Sequence, residues 1–183
     1  ASAHRSMIFD PQLWGFDRQA SVTDRQYKLI AAAADVGETK RIAPRLELAR
    51  FYLSRDMYPE AKAVLDVTLS EERPSSDDPS PLVLRAITKL MLNRPEEALK
   101  ELNHHTLGDQ LDTPLWRAFA LARLGKWDEA QRGFKNAAGA IATLPVELQR
   151  IALKEAIRAS IEVRDYETAQ NLFSELQTIG TPP

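Results

Sequence analysis

Residues able to do chemistry are few in this chain, and their spacing works against it. The histidines are His4, His104 and His105. Neighbouring positions on a helix point about 100° apart, so His104 and His105 are poorly placed to share a metal, and no third ligand of suitable spacing stands nearby. Cysteine is absent, which removes disulfides, thiolate metal sites and sulfur nucleophiles together. The stretch "GETK" at 37–40 lacks the Gly-x-x-x-x-Gly-Lys-Ser/Thr frame that wraps phosphates, and no Gly-x-Ser-x-Gly elbow occurs. Carboxylate pairs at Glu71 and Glu72, Asp77 and Asp78, and Glu96 and Glu97 read as loop or first-turn residues, where acids complement the helix dipole. Nothing assembles a nucleophile, a base and an oxyanion site, so the expectation is a protein that is not an enzyme and uses neither metal nor cofactor.

Composition points the same way. The 183 residues are 44% hydrophobic and 27% charged, which suits a chain able to bury a core. Lys and Arg number 24 against 26 Asp and Glu, with the signs interspersed, so no large field recruits nucleic acid or an anionic membrane. The longest unbroken apolar run, Leu29 to Ala34, is far too short to span a bilayer. The first Met is Met7 and "QTIGTPP" resembles the start of a linker, so a segment of a longer, bacterial-type polypeptide is expected, with its compartment open.

The work must therefore lie in how the elements are arranged, and they repeat. With Ala61, Ala98, Ala130 and Ala169 in register, Tyr58, Pro95, Trp127 and Tyr166 stand three residues before them, and Leu65, Leu102, Phe134 and Phe173 four after. An aromatic, a small and a large residue at this spacing share one helix face. Upstream stand Pro44, Pro81, Pro114 and Pro145, each read as the first residue of a helix, with Ser80 and Thr113 as N-caps. Each unit is then helix A, a tight turn at "SRDM", "LNRP", "LGKW" or "VRDY", and helix B. The predicted hairpins run over about 44–72, 81–105, 114–142 and 145–179, with unequal anchor spacings of 37, 32 and 39 residues absorbed by loops.

Ahead of them, residues 23–37 are predicted to form an N-terminal capping helix. Thr23 and Gln26 would supply a capping box, Tyr27, Ile30, Ala31 and Ala34 one face, and Gly37 the stop. Residues 1–22, with Phe9, Leu13, Trp14 and Phe16, show no helical period and are expected to form an extended apolar arm.

At these residues the chain resembles the tetratricopeptide repeat family, whose units are stacked helical hairpins. The third unit fits best, with Ala118, Gly125, Trp127, Ala130 and Phe134, and the likeness covers about residues 42–179. The resemblance implies an all-α fold, a tetratricopeptide-type α-solenoid of about four hairpins over 38–183 with the capping helix in front. Two units depart from the pattern, with Pro95 at the aromatic position of the second and Ile157 at the first small position of the fourth.

The family's A helices line a concave face that grips a partner helix or extended peptide. Transfer by register implies a peptide-binding groove of Leu46, Arg50, Val83, Ile87, Met91, Leu115, Trp116, Phe119, Arg123, Lys154 and Arg158. The stripe is apolar in the middle and largely basic at its ends, which favours acidic flanks on the partner. The expected role is a non-catalytic protein–protein interaction module with a protein or peptide partner, without nucleic acid or membrane insertion. The alternatives are self-association into a homo-oligomer through the array ends, or an accessory domain of a larger enzyme.

Overall fold

The computed structural model describes residues 7–35, 37 and 41–179. Among these the secondary structure is helical, with no strand. His4, Val36, the last three residues of "GETK" and the end of "QTIGTPP" lie outside the described residues. The chain divides into two compact units, one up to Leu111 and one from Asp112.

The first unit holds α1 (Pro11–Gln19), α2 (Val22–Asp35), α3 (Ile42–Ser54), α4 (Tyr58–Glu71), α5 (Ser80–Met91) and α6 (Pro95–Leu102). Helices α3 and α4 form one hairpin and α5 and α6 another, α5 packs on both α3 and α4, and α1 and α2 both pack on α3. The second unit holds α7 (Thr113–Arg123), α8 (Trp127–Asn136), the one-turn α9 (Ala138–Ile141), α10 (Val146–Glu162) and α11 (Tyr166–Thr178). Here α7 pairs with α8 and α10 with α11, and α10 packs on both helices of the preceding hairpin. Four helical hairpins are thus described, α3 with α4, α5 with α6, α7 with α8 and α10 with α11.

All four turns share one geometry. The residue in the left-handed region is Asp56 (φ 59°), Asn93 (φ 56°), Gly125 (φ 74°) or Arg164 (φ 63°). The amide of the next residue reaches back five positions, from Met57 to Tyr52 O (2.9 Å), Arg94 to Lys89 O (2.8 Å), Lys126 to Leu121 O (2.9 Å) and Asp165 to Ser160 O (2.8 Å). This is the bond that closes a helix whose C-terminal residue turns left-handed, and it satisfies a carbonyl the helix would otherwise orphan. Glycine enters this region freely, whereas Asp and Asn tolerate it and Arg is strained there.

Small residues sit where paired helices cross. Ala49, Ala61, Ala86, Ala98, Ala118 and Ala130 are all buried, as a close approach of ridge and groove requires. In the fourth hairpin Ile157 stays half-exposed, and Ala152, Ala156 and Ala159 take the buried places on α10. The last turn is further tied by Asp165. Its carboxylate accepts from Thr168 N (3.2 Å) and Thr168 Oγ1 (2.8 Å), capping α11, and from Lys135 Nζ and Gln131 Nε2 of α8, both at 2.7 Å.

Several local expectations are corrected. Residues 11–19 are helical, not extended, because Asp10 is an N-cap whose Oδ1 accepts from Gln12 N (2.8 Å) and Leu13 N (3.3 Å) while Pro11 opens the first turn. Thr23 lies inside α2, and Gln26 donates to Tyr52 Oη (3.1 Å) instead of closing a capping box. Helix α2 buries Leu29, and the face expected to pack is bare, with Tyr27 75% and Ile30 45% exposed. Ser80 and Thr113 are first helical residues rather than caps, and Pro145 is itself the N-cap of α10.

Candidate interaction surface

In the first unit the A-helix stripe is mostly core. Leu46, Val83 and Ile87 are buried and Met91 is half-buried. Helix α5 buries most of its residues, from Pro81 to Leu90, and leaves Arg85 and Lys89 half-buried on its polar side, so its apolar side is enclosed by neighbours instead of lining an open groove. Arg50 is half-buried, burial lowers its guanidinium pKa below the usual arginine range, and its Nε donates to the Ile8 carbonyl at 2.8 Å.

That carbonyl belongs to a segment sequence reasoning treated as an arm. Ile8, Phe9 and Trp14 are buried, with Phe9 and Trp14 edge to face at 5.2 Å. Arg18 Nη1 donates to Ser54 O at 2.6 Å, Arg55 donates to Ala20 O, and buried Asp17 pairs with Arg25 at 2.8 Å. A cavity of about 240 Å³ remains between this segment and the Glu47 and Arg50 side of α3. The missed signal was Asp10-Pro11, a cap followed by a helix-starting proline.

In the second unit Leu115, Trp116 and Phe119 are also buried. The cations of the stripe stay accessible. Arg123 stacks on the Phe119 ring at 5.2 Å and pairs with Glu155 at 2.8 Å. Lys154 and Arg158, one turn apart on α10, are exposed, and Arg158 lies over the Trp127 ring at 5.1 Å with Glu162 at 3.9 Å. A guanidinium over an aromatic face keeps outward donors while its plane is held, so these cations are positioned more firmly than free side chains. Among α8 to α11, Phe134, Ala138, Ile141, Leu153 and Leu172 line a cavity of about 230 Å³ together with the polar Gln131, Lys135, Ser160, Thr168 and Glu175.

Other charged and polar side chains tie neighbouring segments together. Glu101 accepts from Arg85 (2.7 Å) and Lys89 (2.9 Å), joining α6 to α5, and Arg45 holds Glu71 at 2.6 Å, lowering that carboxyl's pKa. The rings of His104 and His105 stack at 4.4 Å, with His104 Nδ1 2.9 Å from Thr106 Oγ1. Among the described residues no group of three His, Asp or Glu side chains could hold a metal ion, and no helix is long and apolar enough to cross a membrane.

Comparison with known proteins adds one finding. The family model described as tetratricopeptide repeat matches residues 115–132, the turn of the α7 and α8 hairpin with its flanks. No curated protein and no solved structure matches the chain. The matched hairpin shares its turn geometry and its buried alanines with its neighbours, so the described residues form all-helical hairpins of the tetratricopeptide type.

Proposed function

We propose that the chain is a non-catalytic protein-interaction module that holds an acidic helix or extended segment of a partner on the A-helix face of its second unit. The observation that carries this reading is the set of three accessible cations, Arg123, Lys154 and Arg158, two of them seated on aromatic rings. Because the apolar members of the expected groove are buried in the free chain, the cations rather than an apolar trough make first contact. Affinity then falls steeply with salt, as it does when exposed charges steer association.

Affinity capture with the wild type and with a Lys154→Glu/Arg158→Glu double variant tests this. Both positions are exposed, so the variant is expected to fold and to lose the retained proteins. An unchanged retained set, insensitive to salt, would overturn the cation face as the working surface.

A further inference from the structure

The cavity among α8, α9, α10 and α11 lies within the second unit, and none of its walls belongs to the cation face. Its volume is about 230 Å³, whereas protein interiors leave few voids larger than a water molecule. An apolar cavity of roughly 150 Å³ is enough to take up benzene. Two of the wall residues are alanines, Ala138 on α9 and Ala156 on α10, so space that larger side chains would fill stays open between Phe134, Ile141, Leu153 and Leu172.

Two oxygens on the walls have hydrogen-bonding capacity to spare. Gln131 is 8% exposed, and its Nε2 donates to Asp165 Oδ2 at 2.7 Å. That carboxylate only accepts, so it fixes the amide with Nε2 towards it and leaves Oε1 as an acceptor that no described residue fills. Ser160, 1% exposed, donates its hydroxyl proton to Ala156 O at 3.0 Å and keeps its own oxygen able to accept. An acceptor left unused in a buried residue costs stability, and a donor on a ligand removes that cost. Water meets those acceptors but leaves the apolar walls unmatched, whereas a ring bearing one donor matches both.

The charged groups around the cavity already answer one another. Lys135 pairs with Asp165 at 2.7 Å, and exposed Glu175 stands one turn before Ile179, whose carbonyl accepts from Arg150 at 3.1 Å. Cations and anions balance there, so a charged ligand would lose its hydration with no counter-ion to replace it.

We infer that this cavity binds a small neutral aromatic molecule of one or two rings carrying a single N–H or O–H donor. The ring lies among the apolar walls and the donor meets Gln131 Oε1 or Ser160 Oγ. The inference goes beyond the cation face proposed above and does not rest on it.

Nuclear magnetic resonance titration of the isotope-labelled chain tests this with indole as the probe. Indole is expected to give saturable shifts confined to α8 to α11. N-methylindole, which keeps the rings and loses the donor, is expected to bind about threefold to tenfold more weakly. Indoleacetate, which adds a carboxylate, is expected to bind at least about tenfold more weakly. N-acetyltryptophanamide stands for a tryptophan of a partner protein and is expected to bind more weakly than indole, because its added main-chain atoms do not fit a volume of this size. Ala138→Phe and Leu172→Phe place a ring in the cavity from an exposed and a half-buried position, and each is expected to abolish the indole shifts while helical circular dichroism is unchanged. No saturable shift with indole would overturn the inference, as would shifts that survive both filling substitutions in folded protein. So would N-methylindole or indoleacetate binding as tightly as indole, or N-acetyltryptophanamide binding more tightly, which would make the site a socket for a partner's side chain. The ligand series uses the wild type alone, so it decides the matter even where a filling substitution unfolds the chain.

Discussion

The Cβ that Gly133 lacks would lie 2.8 Å from the Cβ of Ala118, so these two residues meet where α7 and α8 cross. Real Cβ atoms do not approach so closely, and the neighbouring atom is a short side chain fixed to its backbone. Gly133→Ala is therefore expected to destabilise by about 1 to 3 kcal/mol through overpacking, despite the better helix propensity of alanine. Chemical denaturation checks this, and adding Ala118→Gly is expected to recover part of the loss. An unchanged midpoint would mean that the helices separate at no cost.

The left-handed turn positions give a prediction of opposite sign. Arg164 holds φ 63° where glycine would be relaxed. Arg164→Gly is expected to stabilise the chain by about 0.5 to 1 kcal/mol, and Gly125→Ala to destabilise it by about 1 kcal/mol. Thermal melts of the two variants against the wild type measure both.

Acid should act through Asp165. Hydrogen bonds from Lys135, then from the Thr168 hydroxyl and amide, hold its carboxyl at about 2, down from the ordinary 3.8. The unfolded chain binds more protons between those values, so the contribution is complete above about pH 4 and is lost as pH falls through about 2. Urea midpoints of wild type and Asp165→Asn are expected to converge over that window. Parallel curves would show that the carboxylate adds nothing.

The N-terminal segment is integral to the first unit. Trp14 is buried with Phe9 against its edge, so Trp14→Ala is expected to cost about 3 kcal/mol. Arg50→Lys, which keeps the charge but replaces the guanidinium that reaches Ile8 O, should cost less. A Trp14→Ala melt matching the wild type would show that the segment hangs loose.

Much of the fold was legible in the sequence because turns and small residues are local signals. "LGKW" and its three counterparts marked where each hairpin bends, and alanines at fixed spacing marked where helices meet. What failed depended on tertiary context. Asp10 is extended, as a residue before proline should be, yet the same proline opens a helix. Leu29 alone decides which side of α2 faces in, against a longer apolar stripe that stays out. For the candidate surface, register identified residues on one stripe of each A helix. It could not say that Val83, Ile87, Leu115 and Phe119 would be enclosed, since enclosure belongs to the neighbouring helices and not to the stripe.

The shared joint of the four hairpins bears on how such a repeat can be detected. Its bond pattern runs through main-chain atoms, so the same closing bond forms with Asp, Asn, Gly or Arg at the bend. Of the four, the hairpin with glycine there, and tryptophan two residues on, is the one the family match falls on. A comparison of amino acids reads that one bend, while main-chain geometry reads all four.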